Sequence, residues 1–189
     1  NQPETFDQFY KWGESLLSDF NDIDLHLLDA KEVFRDLRNI QQLESWDMDN
    51  YTEMQKRYLG FWEKLAPLYH AFNVAIKNKG ISYTGSTYKR VALKLKIEGV
   101  STNYKAIYFC GLNAISPSEI EIIEAFKREI PTSIIWDIDQ HYISNEHHEA
   151  GDFYRKLAQN ELFKAQKTPS NLNVPGKNFM FYEAPSNVG

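Results

Sequence analysis

The chain has one cysteine, Cys110, among 189 residues, so no disulfide can form within it. That cysteine ends the apolar run Ala106-Ile107-Tyr108-Phe109-Cys110 and has no base beside it. The setting predicts a buried small hydrophobe rather than an activated thiolate. No apolar stretch approaches the ~20 residues that a membrane-spanning helix needs, and no secretory leader opens the sequence. The nine glycines are scattered, and none belongs to the Gly-x-x-x-x-Gly-Lys-Ser/Thr loop that cradles nucleotide phosphates. Positive charge is also short: 21 Lys and Arg against 26 Asp and Glu leave a net charge of −5. That weighs against a freestanding nucleic-acid binder, which carries a basic excess. Repeats and low-complexity tracts are absent, and no Ser/His/Asp or Cys/His triad can be argued.

Core material is plentiful. Hydrophobic residues make up 42% and aromatics 14%, which excludes wholesale disorder; the length suits one domain, or one plus a small subdomain. Residues 5–19 predict a helix with Phe6, Phe9, Tyr10, Leu16 and Leu17 near one face. Asp19 to Asp24 reads as an acidic turn. Asp29 and Glu32 have capping-box spacing ahead of a stripe of Val33, Phe34, Leu37 and Ile40. A long helix is expected over 50–78, kinked or broken at Pro67 and stopped by Gly80. Another is expected over 86–98, with Tyr88, Val91, Ala92 and Leu95 inward.

After Gly99 the pattern becomes β. Residues 106–110 and 133–136 are short continuous apolar runs, as in strands buried on both faces of a parallel sheet. Between them Ser116-Pro117-Ser118-Glu119 combines a cap, a first-turn proline and a capping-box acid. The segment is therefore a β-α-β unit with parallel strands. A further helix is expected over 146–163, a linker over 166–178 and a last strand over Asn178–Tyr182.

Three constellations could carry chemistry. Asp137 and Asp139 alternate at the carboxyl end of a strand, where open α/β sheets bind ligands. With His141 and His147 they could also serve a metal-dependent hydrolase, although the spacing fits no strong ligand motif and a solvated loop is the simpler account. Tyr83-Thr84-Gly85-Ser86-Thr87 opens a helix and could hold an anion on free amides, or simply start the helix. Lys89, Arg90, Lys94 and Lys96 with Tyr83 and Tyr88 mix positive charge and aromatic rings, as single-strand binders do; the alternative is a solvated basic face. Trp12, Trp46, Trp62 and Trp136 are expected in the core or an interface.

Residues 104–142 resemble the middle of the first RecA-like motor domain of superfamily-one DNA helicases of the UvrD/Rep type. There a strand ends in the Walker B acids, and a second strand ends in a Gly-Asp-x-x-Gln-x-x-Tyr-like motif, matched by Trp136-Asp137-Ile138-Asp139-Gln140-His141-Tyr142. The resemblance implies that Asp137, Asp139 and Gln140 are a nucleotide-sensing remnant, and that Gly111-Leu112-Asn113 replaces the Walker B acids. The chain is more closely similar to AddB-like, helicase-inactivated subunits of bacterial recombination nucleases and to long proteins of the PD-(D/E)XK nuclease family. Residues 9–24, Gly80-Ile81-Ser82-Tyr83-Thr84-Gly85 with Tyr88-Lys89, and Phe109-Cys110-Gly111-Leu112-Asn113-Ala114 carry that likeness. No nuclease motif of the Asp…Glu-x-Lys kind occurs.

The fold class expected from this is α/β: a partial parallel sheet of a RecA-like (P-loop-type) motor domain with a helical insertion subdomain. The expected divisions are a motor-domain segment at 1–28, a helical insertion at 29–98, a β-α-β segment at 99–165, and a linker and strand at 166–189. Asn1 and the unclosed end at Gly189 fit a piece of a longer protein, with the phosphate loop upstream and a second motor domain and a nuclease domain downstream. The implied role is a non-catalytic helicase-like domain in a cytoplasmic DNA double-strand-break repair and recombination nuclease-helicase. Lys89, Arg90, Lys94, Lys96 and Tyr88 would be its DNA contacts. Its partners would be DNA and a helicase or nuclease subunit, with no membrane, no metal and no cofactor in this segment. A protein-interaction module is the third expectation.

Overall fold

A computed structural model describes residues 5–44, 53–165, 167–172, 175, 176, 178, 180 and 181. Its elements run α1 (Phe6–Leu25), α2 (Ala30–Glu44), α3 (Glu53–Asn78), α4 (Thr84–Glu98), β1 (Ile107–Cys110), α5 (Pro117–Glu129), β2 (Thr132–Ile135), α6 (Gln140–Ser144) and α7 (Asp152–Leu157), with 3₁₀ turns at Glu149–Gly151 and Glu161–Phe163. The architecture is mixed helical with a small parallel sheet. The chain forms two compact units: residues 1–105 with 115–131, and residues 106–114 with 132–189. The sequence placed boundaries instead after 28, 98 and 165.

In the helical unit, α1 runs six residues past the expected end at 19 and absorbs the acidic turn. The reason is the face it buries. Leu16, Phe20 and Ile23 fall at steps of four and three, and they pack with Ala30 and Phe34 of α2 and with Leu65 and Tyr69 of α3. Of the stripe expected in α1 only Leu16 is buried; Phe6, Phe9, Tyr10 and Leu17 are exposed. The expected α2 stripe is split as well: Phe34 is buried and Leu37 exposed. Asp29 caps α2 by accepting from the Lys31 and Glu32 amides. Helix α3 continues unbroken through Pro67. Gly80 stops it at φ +69°, where its amide bonds the Lys77 carbonyl and the Ile81 amide the Ile76 carbonyl. Helix α1 ends in the same motif, but Leu27 takes the left-handed position at φ +55°. In α4 Ala92 is buried while Val91 lies outward. The capping box of α5 forms as expected, with Ser116 accepting from the Glu119 amide.

In the second unit β1 and β2 pair in parallel, with Phe109 opposite Ile134 and Cys110 opposite Ile135. Burial alternates along both strands, which corrects the expectation of two-sided burial. The described sheet has two strands, so one face remains uncovered: Tyr108 is 65% and Ile135 53% exposed. Cys110 lies on that face and is exposed, not buried. The helix expected over 146–163 is instead a series of short turns. Side chains restart it repeatedly: His148 and Asn160 each accept from an amide two residues on, which competes with helical continuation. Tyr154 and Phe163 are the buried centre. Asn178, Met180 and Phe181 are in no strand; the rest of that expected strand, with Trp46 and the side chains of Ile40, Tyr51, Met54 and Tyr58, lies outside the described residues. Among the described residues no helix is long and apolar enough to cross a membrane.

Candidate functional site

Parallel pairing brings the carboxyl ends of β1 and β2 together, and their following loops line one cavity of about 260 Å³. Gly111, Leu112 and Asn113 come from the first strand's end and Trp136, Asp137 and Ile138 from the second's; Ala150, Phe153 and Tyr154 complete the wall. Gly111 turns the chain out of β1 at φ +71°, a backbone conformation that favours glycine. Trp136 is held by its indole N–H, which donates to the Phe163 carbonyl at 2.9 Å, and by edge contact with Tyr154. Among the described residues of the wall Asp137 is the one carboxylate.

Asp139 and Gln140 face elsewhere. The Asp139 carboxylate caps α6 by accepting from the His141 amide at 2.9 Å. Its other oxygen accepts from the amides of Asn171 at 2.7 Å and Leu172 at 3.1 Å. These bonds favour the charged form, the His141 amide first, and hold the carboxyl below the usual range. Gln140 accepts from the Thr168 hydroxyl at 2.6 Å and donates to Ser144 at 2.7 Å, while its amide donates to the Pro169 carbonyl. The stretch read as a free linker is therefore tied to the Asp-Gln pair along 168–172. Of the three residues in the expected nucleotide-sensing remnant, only Asp137 lines the cavity.

The histidines are built into the same loop. His148 accepts from the Ala150 amide and its ring meets those of His141 and Tyr142. His147 is exposed. Arg155 organises the loop by donating to the carbonyls of Tyr142, Asn145, Glu146 and His148 at 2.9–3.3 Å. Among the described residues no group of three or more His, Cys, Asp or Glu side chains is placed to hold a metal ion.

The basic helix is α4. The Lys89 ammonium does not point to solvent; it donates to Asp24 at 2.9 Å. Asp24 is 1% exposed and also accepts from the hydroxyls of Tyr69 and Tyr83. Burial, and next the bond to Asp24, push both phenols far above their ordinary range. Arg90 is exposed and Tyr88 half-buried. Lys94 and Lys96 pair at the surface with Glu98 at 3.6 Å and Glu121 at 3.7 Å. The expected anion cradle at Tyr83–Thr87 is not open: the Gly85 amide donates to the Asn21 side chain at 2.8 Å, and Gly85 is buried against the α1 backbone.

Sequence reasoning did not find Asp24 or Arg155. Asp24 lies 45 residues from Tyr69 and 65 from Lys89, and nothing local marks it among the acids around it. No protein-family model, curated protein or solved structure matches this chain.

Proposed function

We propose that this chain is a non-catalytic, helicase-like domain that guides DNA or mates with a partner subunit in a cytoplasmic double-strand-break repair nuclease-helicase. One observation carries the reading. Cys110 pairs with Ile135 in a parallel register, so the loops after both strands share one cavity, and among the described residues of its wall Asp137 is the single carboxylate. A motor that hydrolyses nucleotide needs acids at the end of the first strand to hold magnesium and orient water. Gly111-Leu112-Asn113 offers none. The engagement of Asp139 and Gln140 by residues 168–172 supports the same reading, because neither is free to follow a nucleotide's γ-phosphate.

On α4 the exposed Arg90, Lys94 and Lys96 are the cations that would meet a phosphate backbone, while Lys89 is held by Asp24. ATP turnover with and without single-stranded DNA tests the first half: no DNA-stimulated hydrolysis is expected, and its appearance would refute the assignment. Titration with labelled single-stranded DNA at two salt concentrations tests the second. DNA guidance predicts affinity falling steeply with salt, and Arg90→Glu with Lys94→Glu should reduce the logarithmic salt slope by about 0.7 for each phosphate no longer neutralised. Salt-independent or undetectable binding would leave subunit mating as the role.

A further inference from the structure

Helices α1, α2 and α3 enclose a larger cavity, about 620 Å³, within the roughly 300–1,000 Å³ typical of small-molecule sites. Four aromatic side chains stand on its described wall, Trp12, Phe34, Phe61 and Trp62, and three of them, Trp12, Phe61 and Trp62, run in sequence along it. They meet edge to face. Trp12 and Phe61 have centroids 6.1 Å apart at 80°, and Phe61 and Trp62 6.0 Å apart at 75°. Most of the remaining wall is aliphatic. The polar residues all come from α1: Ser15, Asp19 and Asp22, whose four- and three-residue spacing sets them along one face. No Lys or Arg is among the described residues of the wall.

We propose that this cavity binds an organic cation, a methylated ammonium head carrying an apolar body, with the ring faces on the head and Asp19 and Asp22 supplying the opposite charge. Aromatic faces carry negative quadrupole density and attract a cation that sheds water easily. A methylated ammonium fits that need, since it has few or no N–H groups to leave unsatisfied in an apolar wall. The carboxylates point the same way. Asp19 and Asp22 are exposed; partial burial, and then the neighbouring charge of Asp22, raise the Asp19 carboxyl above its usual range, and a bound cation offsets that repulsion. An anion meets two carboxylates, and a neutral molecule draws nothing from their charge.

The test uses the whole chain and three probes: choline, benzoylcholine and dimethylbutanol, the uncharged carbon isostere of choline. Binding is followed by calorimetry and by tryptophan fluorescence. Benzoylcholine should bind most tightly, and choline about tenfold more tightly than its neutral isostere. The double variant Asp19→Asn with Asp22→Asn should weaken choline about tenfold and leave the isostere unchanged; circular dichroism verifies that it is folded. Trp12→Leu should weaken both cations. Equal affinity for choline and the isostere, indifference to the double variant, or no binding of benzoylcholine at millimolar concentration would each overturn the proposal.

Discussion

The two units hold themselves together differently. The helical unit has a layered apolar core from α1, α2 and α3 with one charged cluster inside it, Asp24 with Tyr69, Tyr83 and Lys89. Among its described residues the strand-bearing unit has few buried side chains, chiefly Tyr154 and Phe163. Single polar side chains stitch its loops: Arg155 on four carbonyls, Asp139 on three amides, and Trp136 on the Phe163 carbonyl. Irregular backbone cannot pair with itself, so side chains must satisfy its polar groups. A loop-rich unit thus depends on individual donors and acceptors, where a helical one depends on shared packing.

The largest break in that contrast should come from Asp24→Ala. It removes the carboxylate that the Lys89 ammonium and the Tyr69 and Tyr83 hydroxyls share, at about 3–5 kcal/mol. Urea unfolding should show the loss, and an unchanged midpoint would mean that the cluster adds nothing. Tyr69→Phe removes one bond of the same cluster and should cost about 1–3 kcal/mol. Two glycines come next. A Cβ at Gly85 would press on the Asn21 carbonyl of α1, and one at Gly151 on the Tyr142 carbonyl and Arg155. Each alanine variant should lose about 1–3 kcal/mol by overpacking, but in different units. Trp136 is the one tryptophan of the strand-bearing unit, so its fluorescence should report Gly151→Ala and ignore Gly85→Ala.

pH sharpens the comparison further. Tyr69 and Tyr83 are raised by burial and Asp24, so the stability they contribute is full below pH ~10 and falls as pH rises above it. Asp139 and Asp152 are lowered, the first by amide hydrogen bonds and the second by Lys156. Their contribution is present above pH ~4 and fades on acidification. Asp29, lowered by the Glu32 and Lys31 amides, adds an acid response in the helical unit. Amide exchange should therefore speed up across α1, α3 and α4 on the alkaline side, and at Asn171 and Leu172 on the acid side. The reverse order would contradict the assignment. The smallest effect is a gain. Leu27→Gly relieves a left-handed leucine at φ +55° and should stabilise the helical unit by about 1 kcal/mol.

Several elements were legible because their signals are local. The Ser116 capping box, the Gly80 stop and the Asp29 cap lie within a few residues of the helix ends they control, and the parallel pair followed from two short apolar runs around one helix. The misjudged features were settled by distant neighbours. Phe6 and Leu17 look as inward as Leu16 on a helical wheel, yet only Leu16 meets α2 and α3. Cys110 reads as core until the sheet leaves its face uncovered. The 168–172 stretch reads as linker until Asp139 and Gln140 bind it.

By itself the sequence determined the Asp29 and Ser116 caps, the Gly80 stop, the two apolar segments that pair as parallel strands, and that the first strand's end has no carboxylate. Those depend on backbone geometry and residue chemistry over a few positions. Tertiary structure alone decided that Lys89 turns inward to Asp24, that Asp137 rather than Asp139 lines the strand-end cavity, and that Trp12, Phe61 and Trp62 share one wall. Each depends on residues far apart in sequence meeting in space, where burial and a partner's charge set what a side chain can do.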